Sequence, residues 1–314
     1  TALVKKQGNT SVILEERKDD IPLFSSAQIF LQFLEKHLDP IVAYVGLNLA
    51  YPLKPTFHDE RLDGILLHGT KEHLLSGLIK KEIGRTLEEF LFTKQNKKIC
   101  VSAANDTVCL FLSDVTQSTW DTTIAGIIGT GTNYAIGIAG QVINLECGGF
   151  NKFVQTPTGV EIDKKSMNRG KQFMEKEIAG AYLYKHFNVI NEQHNLKFPF
   201  LSSTRELSLL AEKNENDGSK LAQILLERSA SFAACQMAGI VEFLTRGKNY
   251  IDSVSEHGMT YDFVMEGALY WDAWNYQEML LKYLKILKVL KNLKFSSIRH
   301  HSIRGGIKLL TGLS

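Results

Sequence analysis

Ile99-Cys100-Val101-Ser102-Ala103-Ala104-Asn105-Asp106-Thr107 and, further on, Thr122-Thr123-Ile124-Ala125-Gly126-Ile127-Ile128-Gly129-Thr130-Gly131-Thr132-Asn133 are the stretches whose reading decides the fold. Each opens on an apolar, strand-like run and ends in small polar residues, which is how a buried strand stops. In the first, Asn105-Asp106-Thr107 starts a helix, so an Asp is released at a strand end, where it is well placed to act as a general base. In the second, Gly129-Thr130-Gly131 makes a turn whose backbone N–H groups can wrap a phosphate. Together the two motifs point to phosphoryl transfer from a nucleotide to a hydroxyl.

Each motif also has a plainer reading. Asn-Asp-Thr can be an N-cap in which Asp106 or Thr107 satisfies open helix N–H groups. Gly-Thr-Gly-Thr-Asn can be an ordinary glycine hairpin, because Tyr134-Ala135-Ile136-Gly137-Ile138 continues as a strand. It is not a Walker loop, since no Gly-Lys-Ser/Thr follows, and not a dinucleotide fingerprint, which needs a third glycine and a helix.

Outward from these stretches the chain alternates strands and helices, so its class is α/β. Ala2 to Lys5 and Ser11 to Glu16 flank Gly8-Asn9 as a hairpin, and Ser25 or Ser26 caps a helix through Leu38. Ile41 to Leu49 reads as a buried strand, Pro52 and Pro55 as loop breakers, and Leu74 to about Phe92 as a helix. Thr122 to Ile138 and Val142 to Glu146 belong to a second sheet. Ser166 to Phe187, Thr204 to Glu212, Leu221 to Leu244 and Gln277 to Leu290 read as helices, Tyr261 to Met265 as a strand, and a last helix begins near Gly306. Lys282, Lys285, Lys288, Lys291 and Lys294 recur every third residue; this reads as the solvated face of one helix, with a basic surface for membrane or nucleic acid as the other reading. Trp271 and Trp274 read as packing residues.

Composition sets bounds around this. The 314 residues are 44% apolar and 22% charged with a net charge of +2, ordinary for a soluble globular protein and not the footprint of a nucleic-acid binder. Cys100, Cys109, Cys147 and Cys235 show no Cys-x-x-Cys spacing and read as free thiols in a reducing compartment. No apolar run reaches the roughly eighteen residues that span a bilayer, and no signal sequence opens the chain, so a cytoplasmic protein without a membrane partner is expected.

Further segments share an order. Asn-Asp-Thr and Gly-Thr-Gly-x-Asn are followed by Ile143-Asn144-Leu145-Glu146-Cys147-Gly148-Gly149-Phe150 and then by Gly170-Lys171-Gln172-Phe173-Met174-Glu175-Lys176 through Tyr182-Leu183. Alone, Glu146 reads as an edge or a polyol acceptor and Glu175 as a solvated helix residue. In this order the segments resemble the hexokinase family. Upstream, Tyr51-Pro52 and Gly64 to Thr70-Lys71 look like that family's sugar loop and Trp-Thr-Lys segment. Downstream, Arg228 to Ile240 looks like its long buried helix, and Phe263 to Tyr270 like its Asp-Gly-Ser-Val-Tyr segment.

The resemblance implies a two-lobed actin-like ATPase (ribonuclease H-like) fold, with a small lobe over 1–104 plus a helix over 306–314 and a large lobe over 105–305. It implies ATP-dependent phosphorylation of the 6-hydroxyl of a hexose, glucose first, with Mg²⁺ bound through the nucleotide and no metal ligand from the protein. Asp106 would be the base. Thr70, Lys71, Asn105, Asn133, Glu146 and Glu175 would bind the sugar hydroxyls. Gly129, Thr130, Gly131, Thr132, Thr204, Ser208 and Gly267 would hold the nucleotide. Monomer and dimer stay open. The family's first phosphate loop is expected just upstream of Thr1. Ala50 stands where the family has Ser, Glu266 where it has Asp, Ala268 where it has Ser, and His301 to Gly306 where it has Ser-Gly-x-Gly. A non-catalytic sugar-binding relative and a kinase for another polyol are therefore the rival readings.

Overall fold

The computed structural model describes residues 1–7, 10–69, 74–116, 118–246 and 260–311. In chain order they form β1 (Ala2–Gln7), β2 (Thr10–Glu16), α1 (Ala27–His37), β3 (Tyr44–Leu49), β4 (Leu53–His58), β5 (Arg61–Leu66), α2 (Ile83–Gln95), β6 (Cys100–Asn105) and α3 (Asp106–Asp114). Then come β7 (Thr123–Ile128), β8 (Thr132–Ile138), β9 (Gln141–Asn144), α4 (Pro157–Lys165), α5 (Phe173–Ile178), α6 (Leu183–Gln193), α7 (Thr204–Lys213), α8 (Asp217–Arg246), β10 (Tyr261–Glu266), α9 (Ala268–Asp272), α10 (Tyr276–Ile286), β11 (Leu293–Ser296) and α11 (His301–Thr311). Contacts divide the chain into two compact units, Thr1–Trp120 with Ile298–Ser314, and Asp121–Ser297.

These boundaries differ from the division expected at 104/105 and 305/306. Residues 105–120 stay with the first unit because α3 lies directly on α11. A Cβ on Gly305 would come 2.2 Å from the Cys109 carbonyl oxygen, so only glycine lets the two helices touch. Helix α11 accordingly starts at His301, ahead of Gly306.

In the first unit β1 and β2 form the expected antiparallel hairpin, and Ser26 Oγ accepts from Ile29 N to cap α1. The parallel pair β3–β6 sets the register Leu49↔Asn105, which brings the end of β6 beside Tyr51. The core between these strands and helices α1 and α2 is built from Phe30, Leu66, Leu87 and Val101 among others. Two expectations need correction. Pro55 does not make a loop but sits in β4, which pairs with β5 alone; a residue without an N–H is tolerated on such an edge. The helix expected from Leu74 begins only at Ile83, because Leu75 and Lys80 take left-handed φ values of 48° and 66° and their turn packs under α1.

The second unit is organised by a five-stranded sheet in the order β9-β8-β7-β10-β11. β7, β8 and β9 run as an antiparallel meander; β10 and β11 lie parallel to β7. This is the ribonuclease H-like order. α8 is 30 residues long and apolar enough by length and composition to cross a membrane, and its Ala230, Ala233, Ala234 and Met237 are buried in the core. The helix expected over Ser166 to Phe187 is interrupted. Gly170 and Gln172 have positive φ, and α5 stops at Ile178 before α6 begins at Leu183. The lysine stripe also breaks: Lys288 turns left-handed after α10, and Lys294 lies in β11. Trp271 and Trp274 pack against the core as expected.

Candidate active site

Asp106 is held by the strand-to-helix switch. β6 ends at Asn105, whose Oδ1 caps α3 by accepting from Thr107 N at 2.9 Å while its Nδ2 donates to the Tyr51 carbonyl at 3.1 Å. Asn105 is therefore the cap that the plainer reading allowed, and it is buried. Asp106 opens the helix, half-buried, with Oδ1 accepting from Thr107 N at 2.8 Å. A carboxylate at a helix N-terminus is stabilised in its charged, proton-accepting form by the open N–H groups and the helix dipole. Nearby Cys109 is no rival: burial first, and Asp106 second, push its thiol far above the ordinary range. Thr70 and Lys71 lie outside the described residues.

The Gly129-Thr130-Gly131 turn joins β7 to β8 in the second unit, as a hairpin closed by Gly129 N donating to Gly131 O at 2.9 Å. Its carbonyls, which would repel an anion, are covered. Gly180 N donates to Gly129 O at 2.8 Å, and Ala181 N to Thr130 O at 3.1 Å. What faces solvent is Thr130, exposed at the tip. Thr204 Oγ1 donates to the Gly180 carbonyl at 2.6 Å, bracing the segment that covers the turn from the start of α7. Gly267 closes the other side. Its φ is 113°, and a Cβ there would come 2.3 Å from the Ile128 carbonyl oxygen. Glycine is thus required twice over, by conformation and by approach.

Two of the expected nucleotide residues serve the fold. Thr132 is only 4% exposed, because period-two alternation along β8 turns it inward when Asn133 turns outward. Ser208 Oγ accepts from Trp274 N at 2.8 Å, tying α7 to the loop after α9.

The carboxylate group forms beside the same turn, where β8 begins and β9 ends. Asn133 Nδ2 donates to Asn144 Oδ1 at 2.7 Å, and Asn144 Nδ2 donates to Glu146 Oε1 at 2.8 Å. Asn133 Oδ1 accepts from Tyr134 N and Cys147 N, so its orientation is set from both sides. Glu146 itself turns left-handed, with φ of 47°, to end β9. Gly148 is packed so closely that a Cβ would lie 2.9 Å from Gln172 Oε1 and 3.2 Å from Glu175 Cβ. This brings Glu175 to the Glu146 turn although the two are far apart in sequence. Both carboxylates act on the partly buried Cys147 thiol, which desolvation chiefly pushes up to about 12. That thiol stays protonated at neutral pH and is no nucleophile.

The structure thus brings Asn133, Glu146 and Glu175 together in the second unit, with Gly129, Thr130, Gly131, Thr204 and Gly267 around the turn. Sequence reasoning missed Asn144 and Gln172. Asn144 was within reach, since it ends the strand that leads to Glu146 and is a polar residue between apolar ones. Gly180 and Gly148 gave no signal, because their part is to let other backbone come close.

The strand order is that of the actin-like ATPase fold. Comparison with solved structures agrees. A hexokinase from Schistosoma mansoni complexed with glucose superposes with a TM-score of 0.73 at 20% identity, over 98% of this chain and 81% of that one. The hexokinase family model matches residues 123–191. A hexokinase of Toxoplasma gondii is 33% identical over 115 residues, 33% of this chain and 25% of that protein. The chloroplastic hexokinase-2 of Nicotiana tabacum is 33% identical over 156 residues, 44% of this chain and 30% of that protein. The matched stretch therefore spans no more than a third of either relative's length.

Proposed function

We propose that this chain is an ATP-dependent hexose kinase that phosphorylates the 6-hydroxyl of glucose or a close relative. The observation that carries the reading is the hydrogen-bonded run Asn133–Asn144–Glu146, with Glu175 packed beside it on Gly148, next to the covered Gly-Thr-Gly turn at the start of β8. A hexose presents hydroxyls all round, and fixed amides and carboxylates discriminate among epimers because each lost contact leaves a buried polar group unpaired. Asn133, Glu146 and Glu175 accept and donate to these hydroxyls, joined by Thr70 and Lys71 as the family resemblance implies.

Asp106 accepts the 6-hydroxyl proton as the oxygen attacks the γ-phosphorus; the new O–P bond forms, the bond to the β-phosphate oxygen breaks, and the diphosphate leaves. The residues present suit a nucleotide phosphate: the turn's carbonyls are covered, Thr130 is exposed, and Gly267 lets the next strand end lie against the turn's backbone. Mg²⁺, when bound through the nucleotide, supplies charge neutralisation of the phosphates.

The test is ADP release from Mg-ATP with and without glucose. Glucose-dependent release is the expected result. A second reading, a sugar-binding relative without catalysis, draws on Glu266 and Ala268 beside Gly267, where the family has Asp and Ser. It is the one supported if glucose raises the melting temperature while no ADP forms.

A further inference from the structure

Helix α5 has six residues, too few to hold together without tertiary contacts, yet it carries Glu175. The two residues after Glu175 are both buried charges. Lys176 donates to Asp163 Oδ1 of α4 at 2.5 Å and to the Asn168 carbonyl at 3.0 Å. Glu177 accepts from Thr156 N at 2.9 Å and from Arg228 Nη1 of α8 at 2.6 Å. The last three carbonyls of α5, which a helix leaves without partners of its own, are each met by a side chain. His186 Nε2 donates to Lys176 O at 2.8 Å, Arg228 Nη2 to Glu177 O at 3.0 Å, and Ser229 Oγ to Ile178 O at 2.6 Å.

Buried ion pairs rarely add net stability, because desolvation offsets their attraction. Two of them in opposite sense, one residue apart, do fix direction: α5 can neither rotate nor slide without breaking one. The residue whose direction they fix is Glu175, whose Cβ has to pass Gly148 at close range. Arg228 holds both the side chain and the carbonyl of Glu177, so it is the strongest single tie.

We propose that Arg228 and Glu177 are positioning residues for the sugar site, acting through α5 to hold Glu175 against the hexose hydroxyls. This rests on the reading of Glu175 given above.

The experiment is a double-mutant cycle on glucose affinity in the full chain, read by calorimetry, with glucose and ATP KM alongside. Arg228→Gln should weaken glucose binding at least about tenfold while the ATP KM stays within about threefold, and Arg228→Lys should recover part of the loss. In a Glu175→Gln background the same Arg228→Gln change should cost less than about threefold, because the group it positions is already gone. Glu177→Gln, which keeps the shape and the Thr156 contact, should reproduce the effect and serves if Arg228→Gln does not fold. Equal losses in both backgrounds would mean that Arg228 only supports the fold, and would overturn the proposal. So would unchanged glucose affinity in either folded variant. If Glu175→Gln alone leaves glucose affinity untouched, the sugar role of Glu175 falls and this inference with it, whereas the assignment of Asp106 stands or falls on turnover.

Discussion

At the scale of single residues, Asp106 and Gly267 carry the sharpest expectations. Asp106→Asn keeps the hydrogen bond to Thr107 and the helix start but removes the proton acceptor. It should cut turnover at least about a hundredfold, the low end for a lost general base, with glucose binding within a few-fold. Steady-state rates and calorimetry decide it; near-normal turnover would remove Asp106 from the mechanism. Gly267→Ala places a methyl group against the Ile128 carbonyl in a backbone conformation that alanine avoids. It should lower stability by about 1 kcal/mol or more and raise the ATP KM well above any change in the glucose KM. Equal shifts in both KM values would detach Gly267 from the nucleotide side. Asn105 shows how a residue read as a ligand can have a plain duty: its amide and carbonyl already bridge Tyr51 and Thr107.

At the scale of elements, helix starts are the most instructive. α2 has no cap from its own preceding residue. Instead Asp63, buried in β5, accepts from Gly84 N at 2.8 Å and Arg85 N at 2.9 Å. Asp63→Ala should strand these amides and lower stability by about 2 kcal/mol or more, measured by urea unfolding. A loss below half of that would show that water replaces the carboxylate. This cap joins residues from separate strands and helices, so no local pattern announces it. By contrast α4, absent from the sequence-based reading, was legible: Thr156 caps it and Pro157 occupies its first position, a standard helix start. The single helix expected across Ser166 to Phe187 failed for a reason partly in view, since Gly170 and Gly180 punctuate it. What the spacing of apolar residues did not contain was the set of partners on α4, α6 and α8 that makes so short a helix as α5 persist.

At the scale of the whole molecule, one buried histidine ties stability to acidity. His186 donates from Nε2 to the Lys176 carbonyl, and its Nδ1 is hydrogen-bonded to Thr158 Oγ1 at 2.6 Å. Burial first, then the Arg228 charge, depress its pKa from 6.5 to about 4. The unfolded chain therefore takes up the proton before the folded one does. This contribution is fully present above pH 6.5 and is lost as the pH falls towards 4. Unfolding free energies measured across that window should decline with acid in the native chain, and the decline should shrink in His186→Gln. An unchanged slope would assign the acid sensitivity to other groups. The sequence by itself determined the α/β class, the hairpin at Gly129 and the strand-end placement of Asp106, because each is written in local alternation, turn residues and the order of short motifs. Only the tertiary structure decided that Glu175 meets Glu146 across Gly148, that Thr132 turns inward, and that α3 stays with the first unit. Those outcomes depend on close approach between residues remote along the chain, which no local pattern encodes.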